Sequence, residues 1–297
     1  MPGLTLPLDR TEFLTGLAAG SVALAVGALA SMGRRGRGRH DVERHRVEWH
    51  SAGLLFAAAA LVGLDLTHDA PGGLIGGTAL VAAGAAVAGA AVGGTARLAL
   101  VARASAVVPG AWVVAAHGAI PGEAWVRVLV FATIVVGGAL VADLDRRTAR
   151  LGLGPVLFAV SVGGVYATVP DTEQALVLLG VAGPVALLGW PLRRAGLGQA
   201  GSAAAVAVLA WSAAVGGVGR PSSIVGAVGC LGLFVVAALS RRPIRLPLPA
   251  IVGAHALLVL ISARVAGLRP TVRAAVTVVV VELVVGVAVW GTAHRRP

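Results

Sequence analysis

The chain has 297 residues, 57% of them hydrophobic and 12% charged, about half the roughly 25% charged share of soluble domains. That balance excludes a water-soluble globular protein and indicates a membrane protein. The net charge of +11 is carried by Arg, with no Lys anywhere, and it calls for no nucleic-acid partner: Arg at headgroup level fixes topology and attracts anionic membrane lipids.

Apolar runs of helix length follow one another from Glu12 to the C-terminus with no polar interval long enough for a soluble domain. They predict one transmembrane helical domain over 1–297, an all-α polytopic integral membrane protein. About eleven helices (ten to eleven) are expected, near 12–32, 50–65, 73–95, 104–120, 123–142, 153–169, 175–191, 199–217, 222–240, 247–265 and 272–290. Helices are required because an open sheet would leave backbone groups unsatisfied in lipid, and a β-barrel would show short alternating segments. The first run lacks a basic leader and is followed by Arg, so it reads as a retained span and not a signal peptide. Pro109 and Pro184 interrupt two later runs. Cys230 lies inside an apolar run, which excludes a disulfide framework.

Arg marks every second loop. Of the 24 Arg, 18 fall on one side: Arg34 to Arg46, Arg97 and Arg103, Arg146 to Arg150, Arg193 and Arg194, Arg241 to Arg245, and Arg295 and Arg296. Basic residues near span ends stay cytoplasmic, so the N-terminus is expected outside and the C-terminus inside, with successive helical hairpins joined by short loops. The absence of Lys and Asn beside abundant Gly, Ala and Val suggests a GC-rich bacterial genome, hence a multi-pass protein of a bacterial cytoplasmic membrane.

The run "TVRAAVTVVVVELVVGVAVW" places one carboxylate, Glu282, near the middle of a span. An acidic residue at a span centre costs roughly 2.5 to 3.5 kcal/mol on insertion scales, so it should face the bundle interior beside a partner. His255 lies at similar depth on the preceding antiparallel run, and the two can meet across one hairpin. This intramembrane polar pair reads either as a proton-exchanging or cation-binding site, because His titrates near neutrality, or as a structural interhelical clip. Gly286 and Ser262 are small enough for those faces to approach closely.

A second constellation lies at the outer ends: Asp65, His68 and Asp69 in one loop, His117 and Glu123 in the next, and Tyr166, Asp171 and Glu173 in the third. As neighbours they would form an outer-face polar cluster able to bind a metal, act as acid and base, or engage a basic partner; as separate loops they are ordinary exposed polar groups. At the inner side, His40, His45 and His50 recur every five residues, a step of about 500° that turns them off a common helix face, so no metal site is assigned. Asp143 and Asp145 stand beside Arg146 and Arg147, which suggests ion pairing within the loop.

Trp49, Trp190, Trp290 and Trp125 fall at expected interfaces, whereas Trp112 and Trp211 lie deeper and are expected to pack the core. Gly72 with Gly76, Gly73 with Gly77, and Gly89 with Gly93 have the spacing of tight helix crossings. There is no GxxxxGK[ST], GxSxG or HExxH, so the chain carries no signature of an ATPase or of those hydrolases, and no cofactor is implied. The expectation is a small permease- or flippase-like transport component. The alternatives are a non-catalytic scaffold subunit, with membrane-complex partners, in an envelope-assembly or secretion complex, and a membrane enzyme acting on a lipid-linked substrate at the outer face.

Overall fold

The computed structural model describes residues 10–32, 51–91, 96–148, 153–168, 172–189, 192, 196–217, 220, 222–227, 253, 256–257, 259–260 and 271–292. Every regular element among them is helical: α1 (Thr11–Met32), α2 (Ala52–His68), α3 (Gly72–Ala91), α4 (Ala96–His117), α5 (Ala124–Ala132), a π-helical turn (Thr133–Gly137), α6 (Gly138–Thr148), α7 (Leu153–Thr168), α8 (Glu173–Gly189), α9 (Gln199–Gly216) and α10 (Val272–Thr292). A further helical segment covers 222–227.

Five of the described helical stretches, Thr11–Leu29, Gly72–Gly89, Leu100–His117, Ala124–Asp143 and Gln199–Gly216, are long and apolar enough to cross a membrane; Ala52–His68, Gly154–Thr168 and Glu173–Gly189 are shorter apolar helices. The architecture fits an all-α membrane protein.

Apolar-run boundaries and helix boundaries differ in an instructive way. Helix α4 begins at Ala96, not near 104, and α6 runs to Thr148, not 142. Hydropathy measures the oily part of a helix, while the hydrogen-bond ladder continues through Arg97, Arg103 and Asp143 because a helix satisfies its own backbone on either side of the hydrocarbon edge. Pro109 and Pro184 sit inside α4 and α8 without ending them.

Helix α9 is the axis of the bundle. Fifteen consecutive residues, Ala200 to Ala214, are buried, so all sides of this helix are covered. Eleven of them are Ala, Gly or Ser, and their small side chains let α2, α3, α6 and α8 approach it together. With no water to expel between helices, association rests on close van der Waals packing, and the backbone seams show it. At α1 and α8, a Cβ on Gly16 or Gly20 would strike the backbone of Val177 or Val181, and one on Gly180 would strike that of Phe13 and Leu17. At α3 and α4, Gly73, Gly77 and Gly84 face His117, Val114 and Ala106 in the same manner. Of the expected glycine pairs, Gly73 with Gly77 is therefore a crossing; Gly72 and Gly76 look away, with nothing near their missing Cβ atoms, and Gly93 lies outside the described residues.

The α5–α6 rod is interrupted by its π turn, whose Gly137 lies against Val206 of α9 and whose successor Gly138 lies against Ala203. One extra residue in a turn rotates the two halves of the rod relative to each other. Here it lets both halves present glycine or small residues to α9.

Candidate functional site

Helix α10 offers one narrow inward stripe. Ala275, Glu282 and Gly286 are buried, at steps of seven and four residues that return to the same side of a helix, while Val276, Val280, Val281, Val284, Val285 and Val287 face outward. Glu282 is 8% exposed. Its neighbour Leu283 packs on Val259, a helical residue on which Val160 and Ala167 of α7 also pack. The carboxylate is thus buried near the middle of α10, with the small Gly286 one turn away. His255, the expected partner, lies outside the described residues, as does Ser262.

At the other candidate location the described residues have different surroundings. His68, the last residue of α2, brings Nε2 to 3.0 Å from Oε2 of Glu173, the first residue of α8. A carboxylate at a helix N-terminus suits the positive end of the α8 dipole. Both side chains stay partly open, at 24% and 54% exposure. Asp65 and Asp69 are exposed on the same corner; Asp69 turns the chain with a left-handed φ of 52° and donates its N–H to the Asp65 carbonyl at 3.3 Å. His117 is an exposed residue at the end of α4, its backbone carbonyl pressed on Gly73. Glu123 is exposed at the α5 N-cap position and makes no side-chain cap bond there. Tyr166 is buried in the apolar core. Asp171 lies outside the described residues. Of this set, His68 and Glu173 form the ion pair, and among the described residues no three His, Cys, Asp or Glu side chains are grouped to hold a metal ion.

The opposite end of the bundle holds a feature the sequence did not disclose. Asp143 pairs with Arg146 at 2.8 Å, as expected of neighbours in one helix. Asp145 is buried, with Oδ1 accepting the N–H of Leu197 and Oδ2 that of Gly198, each at 2.9 Å, contacts that reach far beyond its own loop. These donors immediately precede α9, whose N-cap is Gly198 and whose first turn has no side-chain cap of its own. The physical cause is the helix N-terminus itself, where unsatisfied N–H groups and a positive dipole end recruit an anion, here from 52 residues upstream. Gly154 and Gly196 leave the room the carboxylate occupies. The same segment receives α2: Ala52 N–H donates to the Gly196 carbonyl at 2.7 Å and Gly53 N–H to that of Leu197 at 3.2 Å. One usable signal was present, namely "GLGQ", a helix start without Ser, Thr, Asp or Asn at the cap.

The two deep tryptophans part company. Trp211 is buried in α9 and its indole N–H donates to the Gly118 carbonyl at 2.6 Å, tying the α4–α5 connection to the axis. Trp112 was expected in the core but is 63% exposed and packs edge-on against Phe131, with ring centroids 6.4 Å apart. It falls off the α4 stripe formed by Val107, Ala111 and Val114. Trp125 is exposed at the start of α5, and Trp49 and Trp190 lie outside the described residues.

Comparison of the chain with protein-family models, with curated proteins and with solved structures returned no match, so the functional reading rests on the geometry above.

Proposed function

We propose that the chain is a permease- or flippase-like transport component of a bacterial cytoplasmic membrane, a single domain of about eleven spans with its N-terminus outside. In this arrangement the His68–Glu173 end of the bundle faces outward and the Asp145 end faces the cytoplasm. The observation that carries the reading is Glu282, a carboxylate buried at mid-span on a helix whose other faces are valine-rich. Intramembrane carboxylates are costly, and proton and cation pathways are their principal use.

The test is proton flux. The purified chain is placed in liposomes holding a pH-sensitive dye, a potassium diffusion potential is imposed, and wild type is compared with Glu282→Gln. A flux in wild type that falls to the empty-liposome rate in the variant supports the proposal; equal flux in both removes Glu282 from any transport role. Sidedness is tested separately in a Cys230→Ser background, where Glu123→Cys should label from outside intact cells and Arg146→Cys should not.

A second reading, a scaffold subunit of a membrane complex, is favoured by the closure around α9, which commits the centre of the bundle to small residues in mutual contact. Recovery in mild detergent discriminates it: constant co-purification of other membrane proteins supports the scaffold, and a lone chain counts against it.

A further inference from the structure

We infer that the α5 end of the bundle binds an anionic phospholipid, with Arg127 and Arg220 holding its phosphate and an apolar groove between α5, α9 and 222–227 taking its acyl chain. The groove is lined by Leu129, Val130, Thr133, Ala210, Ala213, Ile224 and Ala227 and encloses ≈ 250 Å³ of unfilled space, including the part open to its surroundings. It is shallow and open to its surroundings, which suits a chain lying along it and not a compact ligand inside it.

Each arginine lies one turn before a residue that lines this groove. Arg127 is three residues before the lining residue Val130 on α5, hence one turn nearer the N-terminal end on nearly the same side. Arg220 is four residues before the lining residue Ile224, and the Ile224 N–H donates to the Arg220 carbonyl at 3.4 Å, which sets the two one turn apart. Both elements start at the same end of the bundle, because Trp211 near the end of α9 bonds Gly118 just before α5, and Gly217 abuts Ile224. Both arginines are exposed, and among the described residues neither makes an ion pair. The charged group nearest in sequence is Glu123, one turn before Arg127 and also exposed.

Two unpaired guanidiniums above an almost wholly apolar groove match a molecule with a phosphate at one end and hydrocarbon at the other. Guanidinium binds phosphate bidentately, and Trp125 beside Arg127 suits the headgroup level. A zwitterionic lipid would bring its own cation to the same place and gain less.

The experiment uses the full chain in maltoside detergent, titrated with phosphatidylglycerol or with phosphatidylcholine of identical acyl chains, and bound lipid is counted by native mass spectrometry. Wild type should retain phosphatidylglycerol preferentially. Each of Arg127→Gln and Arg220→Gln should lower that preference by about five-fold, at roughly one headgroup-level charge apiece. Arg10→Gln with Arg273→Gln, which removes two exposed arginines, one just before α1 and one on α10, should leave it unchanged. The proposal is overturned if the Arg127 and Arg220 variants keep the preference, or if the Arg10 and Arg273 control loses it equally. It is also overturned if glycerol phosphate displaces the lipid at equal concentration, since the site would then recognise free phosphate without the groove.

Discussion

The carboxylate of Asp145 holds the backbone N–H of Gly198, 53 residues further along the chain, at 2.9 Å, and so supplies α9 with the N-terminal anion that its own sequence lacks. Asparagine keeps the shape but removes the charge and turns one acceptor into a donor facing an N–H. Asp145→Asn should lower unfolding stability in detergent by about 1–3 kcal/mol, the cost of an unsatisfied buried donor. A variant that melts with wild type would show that the α9 start does not depend on this contact.

Adjacent glycines on α3 provide a controlled comparison. Gly76 has nothing near its missing Cβ, whereas one on Gly77 would lie 2.8 Å from the Val114 backbone nitrogen and 3.0 Å from the Gly110 carbonyl oxygen. Gly76→Ala should be neutral or stabilising by up to about 1 kcal/mol through helix propensity. Gly77→Ala should destabilise by about 1–3 kcal/mol through overpacking. Thermal melts of the two variants settle the matter, and equal shifts would contradict the α3–α4 seam.

Trp211 is fixed by one hydrogen bond to Gly118 as well as by packing. Phenylalanine keeps most of the ring and loses the donor, leaving the carbonyl without it. Trp211→Phe should cost about 1 kcal/mol and raise the protease sensitivity of the 118–123 connection. Unchanged proteolysis would mean the bond does not restrain that turn.

The His68–Glu173 pair is half open to its surroundings, so its contribution is screened. A double-mutant cycle with His68→Ala and Glu173→Ala should return a coupling below about 1 kcal/mol. A larger value would indicate a desolvated pair and a more enclosed corner than the one described.

Glu282→Gln separates structure from transport. The amide retains shape and hydrogen-bonding capacity without a charge inside the bundle, so melting should be unchanged or raised while proton flux is lost. A fall in stability comparable with the fall in flux would assign Glu282 a purely structural duty.

How much could be read in advance follows from the solvent. Helical runs were legible because the hydrocarbon thickness sets their length, and Glu282 was conspicuous because a charge in an oily run has few explanations. The direction of each helix face was not legible, since in lipid both the inward and outward faces are apolar and the amphipathic contrast that orients a soluble helix vanishes. Trp112 illustrates this: nothing in "VVPGAWVVAAH" distinguishes its outward side from the side of Ala111 and Val114. Asp145 was missed for a different reason. Its partners are backbone N–H groups far along the chain, and backbone donors leave no mark in composition, whereas Arg146 and Arg147 beside it do.

The enclosure of α9 also constrains how the molecule comes to exist. The neighbours that wrap it, α2, α3, α6 and α8, all precede it in the chain and leave the ribosome first. Their final contacts on α9 can form only once residue 199 onward has been made. Biogenesis of this protein therefore has a late keystone, and a chain interrupted before α9 is left as a ring of helices with no centre.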